Sequence, residues 1–139
     1  MLSDKNSRAV KVDLEIAVTD QDLCDIMCTA LEGGIGYWAC LDNTREEWKN
    51  YENDDDTPTS IIATKILLDG KSLYFSDVED PDEIWELTLD KLMISIGTII
   101  LHDEHELSCS NNTLNLDCLD ACLADSIIQY ALFNEIIFG

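Results

Sequence analysis

The chain has 139 residues, of which 46% are hydrophobic and 27% are charged. This length and apolar fraction fit one folded domain and argue against a disordered chain. Acidic residues outnumber basic ones by 29 to 8, which gives a formal net charge of −21. That charge disfavours binding to nucleic-acid phosphates or anionic membranes and favours basic protein surfaces, although acidity also serves solubility alone. No run approaches the ~20 apolar residues of a membrane span, so we expect no membrane partner.

The six cysteines are compatible with a disulfide scaffold or with reduced thiols. The first residues are mainly polar and contain no apolar signal core. Because the rest of the chain is rich in leucine and isoleucine, its core does not require disulfides. We therefore predict reduced thiols in a cytosolic protein.

The first predicted elements are a strand and a helix. Alternating apolar residues predict a half-buried strand over 8–18, after a disordered polar tail at 1–7. Thr19 is placed to cap a helix, and Asp22 three residues later forms a weak capping box. Apolar residues at helical spacing then predict a helix over 20–32.

Three glycines end this helix and are followed at once by two aromatic residues: Gly33, Gly34, Gly36, Tyr37 and Trp38. Glycine just past a helix adopts positive φ without the strain that a Cβ causes. We therefore expect a tight chain reversal that presents the two rings. A short strand over 35–41 and an exposed acidic loop over 42–57 are predicted next.

Residues 61–75 admit two interpretations. A helix would start at Thr57 with Pro58 in its first turn and end at Gly70. A β-hairpin would turn at Asp69-Gly70, a favoured pair for a two-residue turn. The high β-branched content and the alternation toward the end of the segment favour the hairpin, which is our prediction.

The second half of the chain is predicted to hold a strand over 83–87, a helix capped by Thr88 and running to Leu101, a polar connector over 102–115, and a third helix opened by Asp117. The segment 135–139, which is apolar after Glu135, is expected to add a strand or to dock on a partner subunit. The whole is typical of an α+β fold, with an antiparallel sheet of about five strands and two to three helices packed on one face. Residues 8–139 then form a single domain.

The patterns for metal binding and catalysis are weak. His102 and His105 flank two carboxylates, and the cysteine pairs at 24/28 and 118/122 each lie one helical turn apart. Zinc sites of four cysteines usually use two-residue spacing, so a solvated connector and buried thiols are the preferred interpretations. We find no motif for a nucleophile with its base or for a phosphate loop. We predict no enzyme activity, no cofactor and no metal.

Aromatic side chains offer another route to function, because rings stack on nucleotide bases. Most large aromatic residues serve a core, and we assign Phe75 and Trp85 to it. The cations available to meet a phosphate are few: Lys11, Arg45, Lys65 and Lys71.

Three stretches resemble a family of small phage proteins. Residues 18–38, which end in Glu-Gly-Gly-Ile-Gly-Tyr-Trp, resemble the family's opening, residues 85–92 its middle element, and residues 124–139 its ending. The best-studied members with this pattern are the Thoeris anti-defence proteins of phages. The resemblance implies a sponge, meaning a non-enzymatic homo-oligomer in the host cytoplasm that sequesters cyclic ADP-ribose isomers made by immune enzymes. It also implies that some relatives bind cyclic oligonucleotides at a second site.

For such a sponge we expect the ligand site where subunits meet, because the apolar segment at 135–139 and the aromatic hairpin both need partners. Tyr37 and Trp38 would stack or pack beside the nucleotide, and Asn111 and Asn112 of the connector would close over it. Ser126 belongs to this site, at the position where sponge members place a basic residue before Ile-Ile-Gln-Tyr. Asp69 stands where members tend to carry an arginine next to the hairpin glycine. Both differences remove positive charge from places that would meet phosphate.

Two hypotheses of other classes stay open. The net charge of −21 and the acidic run at 52–56 suit an inhibitor that occupies the nucleic-acid groove of a basic host defence nuclease. A phage structural or assembly accessory without a small ligand is the other. A salt-sensitive complex with a basic host protein favours the inhibitor, and a large oligomer indifferent to ligands favours the accessory.

Overall fold

The computed structural model describes residues 7–11, 15–52, 56–102, 108–110 and 112–139. Within these ranges the helices are α1 (Asp20–Thr29), α2 (Glu46–Lys49), α3 (Thr59–Leu68), α4 (Leu89–His102) and α5 (Ala121–Phe133), and α1 continues into a π-helical turn at Ala30–Gly34. The strands are β1 (Ala39–Leu41), β2 (Leu73–Asp77), β3 (Ile84–Leu87), β4 (Ser108–Ser110) and β5 (Thr113–Asn115). The α+β class with an antiparallel sheet is confirmed, but the described residues form five α-helices where we predicted two to three.

The main sheet has three strands in the order β1-β2-β3 within the described part of the chain, where we predicted about five. Phe75 of β2 pairs with Leu41 of β1 on one side and with Trp85 of β3 on the other. Leu73 and Phe75 are buried and line the core, as their alternation with polar neighbours predicts. Strands β4 and β5 form a separate hairpin inside the segment predicted as a polar connector.

Helix α1 begins where its capping signals place it. The Thr19 hydroxyl accepts a hydrogen bond from the Asp22 N–H at 3.0 Å, and the Asp22 carboxylate accepts one from the Thr19 N–H at 2.9 Å. This capping box satisfies two backbone donors that the helix itself leaves unpaired. Leu23, Ile26 and Met27 are buried on one face, so both the cap and the apolar stripe were predicted correctly.

The predicted hairpin over 61–75 is wrong, because its first half is α3. Much of α3 is buried, so its apolar and β-branched residues reflect a helix covered on several sides rather than a strand. Gly70 has a φ of +76° and follows the last turn. Its N–H donates to the Leu67 C=O, and the Lys71 N–H donates to the Ile66 C=O. These two bonds form a Schellman ending, so the Asp-Gly pair stops a helix instead of turning a hairpin.

The predicted strand over 8–18 is also wrong for the described residues of that segment. Ala17 alone makes a β-bridge there, in parallel with Thr113. Its N–H donates to the Asn112 C=O at 2.7 Å, and its C=O accepts from the Leu114 N–H at 3.2 Å. Alternation predicts a strand face but not a neighbouring strand, and here the neighbour is a short hairpin. Parts of two predictions lie outside the described residues, namely 1–6 of the tail and 12–14 of the strand.

Two further boundaries differ from the prediction. Helix α5 starts after Asp120, whose carboxylate accepts the Leu123 N–H at 2.8 Å, and not at Asp117. The acidic stretch at 42–57 contains the short helix α2, whose Trp48 is buried. A chain segment loaded with acids therefore still contributes one ring to the core. Residues 53–55 of this stretch lie outside the described residues.

The core is one cluster of buried residues contributed mainly by the four longer helices and the main sheet. Helix α4 packs on α5, and the buried Ser95 hydroxyl donates a hydrogen bond to the Ile127 C=O across this contact. Leu92, Ile96 and Ile99 of α4 are buried. Among the described helices, none is long and apolar enough to cross a membrane.

Candidate functional site

The chain reversal after α1 brings the predicted aromatic pair beside α5. A Cβ on Gly34 would lie 3.0 Å from the Ala121 carbonyl oxygen at the start of α5, so glycine permits the close approach of the two segments. The Ile35 C=O then accepts the Trp38 N–H at 3.0 Å and closes a turn. This turn leaves Tyr37 54% exposed and Trp38 only 2% exposed.

Asp125 of α5 connects both aromatic residues. Its Oδ2 accepts a hydrogen bond from the Tyr37 hydroxyl at 2.6 Å, and its Oδ1 accepts one from Trp38 Nε1 at 2.8 Å. Gln129, one turn further along α5, donates from Nε2 to the same Oδ1 at 2.9 Å. Three donors therefore hold one carboxylate in place. We call Tyr37, Trp38, Asp125 and Gln129 the carboxylate cluster.

The carboxylate cluster also fixes the protonation of Tyr37. Desolvation of the phenol, together with its hydrogen bond to the Asp125 carboxylate, raises the pKa of Tyr37 to about 12. The phenol is therefore neutral at physiological pH and remains a hydrogen-bond donor. Its ring is presented to solvent while its hydroxyl is fixed, which is a suitable arrangement for a stacking surface.

The ring of Trp38 is covered by other aromatic side chains. Phe138 stacks on it with ring centroids 4.8 Å apart and an interplanar angle of 8°. Trp85 and Phe133 each lie with centroids 5.6 Å from Trp38, in tilted orientations. We call Trp38, Trp85, Phe133 and Phe138 the aromatic cluster. Because Phe138 occupies one face of Trp38, a base can stack there only if Phe138 moves away.

The other predicted site residues are Ser126, Asn112 and Asn111, and the first two do not belong to the carboxylate cluster. Ser126 is half-buried next to Asp125, and its hydroxyl donates to the Cys122 C=O within α5 at 3.1 Å. Asn112 is exposed with a φ of +63° in the turn between β4 and β5, and its C=O accepts the Ala17 N–H. The backbone C=O of Asn112 is therefore bonded to the segment before α1. Asn111 lies outside the described residues.

The basic side chains for which the structure gives contacts are engaged within the chain. Arg45 pairs with Asp42 at 3.1 Å, and its guanidinium lies 3.7 Å from the Tyr74 ring centroid. Hydrogen bonds from Thr44, with a smaller contribution from Arg45, hold the pKa of Asp42 below its usual value. Lys71 lies 5.3 Å from the Tyr51 ring centroid, and Lys91 donates to the Glu86 C=O at 2.8 Å. A phosphate would have to compete with these contacts.

The cysteines do not form a metal site within the described residues, which hold no group of three or more potential ligands. Cys24 and Cys28 are half-buried free thiols, whereas Cys118 and Cys122 are exposed free thiols, so the prediction of buried thiols is wrong for the second pair. Burial and the nearby Glu32 carboxylate raise the pKa of Cys28. A raised pKa favours the neutral thiol, which is the weaker metal ligand. His105, predicted as part of a weak metal pattern, lies outside the described residues.

An apolar groove of about 270 Å³ lies between α4 and the segment before α1. Its lining is aliphatic apart from one glycine: Ile16, Val18, Met93, Ile96, Gly97, Ile100 and Leu101. Two aliphatic side chains of α4 project strongly into solvent, Ile94 at 67% and Leu101 at 83% exposure. Exposed aliphatic residues on one helix are typical of an association surface.

Sequence reasoning missed Asp125, Gln129 and Phe138 as members of the site. Asp125 and Gln129 are four residues apart, a spacing that places both on one helix face. Gln129 also follows two buried isoleucines, and a buried amide requires hydrogen-bond partners. The spacing of Asp125 and Gln129 was available in the sequence, whereas the burial of Gln129 and the stacking of Phe138 on Trp38 depend on the tertiary fold.

The fold and the site together define an α+β chain whose exposed tyrosine is held by a partly buried network of aromatic, amide and carboxylate groups. No protein-family model, curated protein or solved structure matches this chain.

Proposed function

We propose that this chain is a phage immune-evasion protein that sequesters a cyclic nucleotide-type immune signal without hydrolysing it. The ligand would be a cyclic ADP-ribose isomer or a cyclic oligonucleotide, and the place of action the host cytoplasm. One observation carries the proposal. The three stretches that resemble the sponge family lie far apart in sequence, yet each contributes to one aromatic cluster, through Trp38, Trp85 and the pair Phe133 and Phe138.

Tyr37 is the residue proposed to meet the ligand first. Its ring is exposed, and its hydroxyl is held by Asp125 at 2.6 Å. Stacking of a base on an aromatic ring contributes about 1–3 kcal/mol, and a ring that is already fixed loses little conformational entropy on binding. Sequestration requires affinity for the ground state of the ligand, so it needs no acid–base pair.

The charge of the chain sets a condition on this binding. A nucleotide phosphate approaches a protein with a net charge of −21 against long-range repulsion. Affinity must therefore come from contacts to the base and ribose. Because salt screens repulsion as well as attraction, the proposal predicts that added salt strengthens ligand binding.

A second copy of the chain is proposed to complete the site. Residues 92–101 contain no Asp, Glu, Lys or Arg, although the chain as a whole is strongly acidic. Two copies with like charge approach each other at lowest cost across such a neutral surface. The apolar groove beside α4 supports this surface as the contact. Sedimentation of Ile94→Glu, with Ile84→Glu on exposed β3 as the matched control, tests it: the proposal requires dissociation of the α4 variant only.

The proposal is tested by equilibrium dialysis against cyclic ADP-ribose isomers and cyclic dinucleotides at about 50 and 300 mM salt. Tyr37→Leu should weaken binding by roughly tenfold or more, which corresponds to ~1–3 kcal/mol of stacking. Tyr51→Leu is the matched control, since its hydroxyl is also held by a carboxylate, Asp69, at 2.7 Å. Equal losses in both variants, or no binding to any compound, would contradict the proposal.

An acidic inhibitor of a host defence nuclease is the second candidate, and the turn between β2 and β3 favours it. Five of the seven residues at 77–83 are acidic. The Asp77 carboxylate accepts the Glu79 N–H at 2.8 Å, and the Asp80 carboxylate accepts the Asp82 N–H at 3.2 Å. These hydrogen bonds fix the backbone of the turn and so the positions of its closely spaced carboxylates. A protein that mimics nucleic-acid phosphates requires such fixed negative charges.

Salt distinguishes the two candidate functions, because added salt should weaken binding to a basic nuclease and strengthen binding to a nucleotide. An inhibitor bound to a basic nuclease should be captured from host lysate at about 50 mM salt and lost at about 300 mM. A sponge bound to a nucleotide should retain its ligand better at the higher salt. Amide substitutions at Glu79 and Glu83 should abolish capture of the nuclease and leave nucleotide binding unchanged.

A further inference from the structure

Gln129 binds the backbone of a distant part of its own chain. This side chain is only 1% exposed, and its Oε1 accepts the N–H groups of Ile137 and Phe138, both at 2.9 Å. Its Nε2 donates to the Phe138 C=O at 3.0 Å and to Asp125 at 2.9 Å. One amide thus recognises two consecutive N–H donors and one carbonyl acceptor of the peptide backbone.

The same peptide inserts its phenylalanine into the aromatic cluster. Phe138 stacks on Trp38, with its ring centroid 6.0 Å from that of Trp85 and 5.9 Å from that of Phe133. Backbone recognition by Gln129 and a ring-lined pocket for one side chain are the two components of a peptide-binding site. We call residues 134–139 the return segment, and the surface formed by Gln129 and the aromatic cluster without Phe138 the peptide groove.

The return segment is held mainly by the hydrogen bonds of Gln129 and by the ring of Phe138. Helix α5 stops at Asn134, which has a φ of +59° and reverses the chain. Ile136 and Ile137 are 44% and 48% exposed, so their side chains contribute little to the anchoring. Segments with few buried contacts open at lower free energy than the core on which they lie. Opening would, however, leave a buried amide and an aromatic face uncovered, which favours replacement of the segment over an empty groove.

We propose that the peptide groove is a binding site for a short apolar peptide with a phenylalanine anchor, and that the return segment occupies it reversibly. The occupant that replaces it is the return segment of a second copy of this chain, which carries the same backbone and the same ring. This inference does not depend on the identity of any nucleotide ligand. It assigns Gln129 and Trp38 to peptide recognition.

The test uses the full chain and a labelled peptide with the sequence of residues 134–139. Phe138→Ala removes the anchor of the internal occupant and leaves the peptide groove intact. Because a tethered segment competes at millimolar effective concentration, the peptide should bind the Phe138→Ala chain roughly tenfold or more tightly than it binds the wild type. Ile136→Ala is the matched control, since it shortens an exposed side chain of the same segment and should behave as the wild type.

A peptide with alanine in place of its phenylalanine should bind neither chain. Equal binding of the original peptide to both chains, or equal binding of the two peptides to the Phe138→Ala chain, would overturn the proposal.

Hydrogen exchange of the wild-type chain gives a second measurement that depends on no variant. The amides of Ile137 and Phe138 should exchange at least about tenfold faster than those of the buried Ile127 and Ile128 in α5, because the return segment opens while α5 stays folded. Exchange of all four amides at one common rate would mean that the segment leaves only on global unfolding, and would overturn the proposal.

Discussion

Replacing Asp125 by alanine should destabilise the fold by about 2–4 kcal/mol. The carboxylate accepts hydrogen bonds from Tyr37, Trp38 and Gln129. Trp38 is buried, so its indole N–H would lose its acceptor at a cost of about 1–3 kcal/mol. Gln129 keeps its bond to the Phe138 C=O and loses about 0.5–1.5 kcal/mol. The Tyr37 hydroxyl retains a second acceptor, the Phe138 C=O at 3.4 Å, so its bond adds little to this cost.

Urea denaturation measures this change in the free energy of unfolding. Asp82→Ala is the matched control, because it removes the same single charge from a chain with a net charge of −21 and lies in an exposed turn. The control should stay within about 0.5 kcal/mol of the wild type. Asp125→Asn retains an acceptor for Trp38 and should fall between the two. An Asp125→Ala chain as stable as the Asp82→Ala chain would refute the assignment of Asp125 as the centre of the carboxylate cluster.

Three further predictions test the local geometry. The pKa of Tyr37 is raised to about 12 in the folded chain, so the contribution of Tyr37 to stability is complete below about pH 10 and is lost as the pH rises toward about 12. Urea denaturation should therefore show a steeper loss of stability at alkaline pH for the wild type than for Tyr37→Phe. Parallel losses in the two chains would contradict this prediction. Gly34→Ala places a Cβ 3.0 Å from a backbone oxygen of α5 and should lower the free energy of unfolding by about 1–3 kcal/mol, whereas Gly33→Ala, with nothing within 4 Å, should not. Gly70→Ala forces alanine to a φ of +76° and should cost about 1–2 kcal/mol in the same assay; an unchanged midpoint would argue against the Schellman ending.

Local signals predicted the parts of this fold that local contacts determine. The cap at Thr19 depends on atoms three residues apart, and Thr88 likewise precedes α4, its hydroxyl accepting the Lys91 N–H at 3.3 Å. The strand at β3 and the alternation of buried and half-buried side chains in β2 also follow from the local sequence. Each of these features can be inferred from a window of a few residues.

The features that sequence reasoning missed depend on the rest of the molecule. Helix α3 was assigned as a strand because burial on several sides removes the polar face that distinguishes an amphipathic helix. The two rings of the Tyr-Trp motif were expected to act together, but the turn sends Tyr37 outward and Trp38 into the core. The partners of Trp38 at 85, 133 and 138 come from three separate elements. The hydrophobic periodicity of a single segment does not specify which side chains from separate elements pack together.

The measurement that tests the central claim most directly is a mass balance of captured ligand. The purified chain is incubated with a cyclic ADP-ribose isomer or a cyclic dinucleotide, separated from free compound and then denatured. The mass and the amount of the released compound are measured by mass spectrometry. Sequestration predicts release of the ligand at its original mass, in an amount proportional to the protein. Release of a hydrolysed product, or recovery of no ligand from any compound tested, would contradict the account.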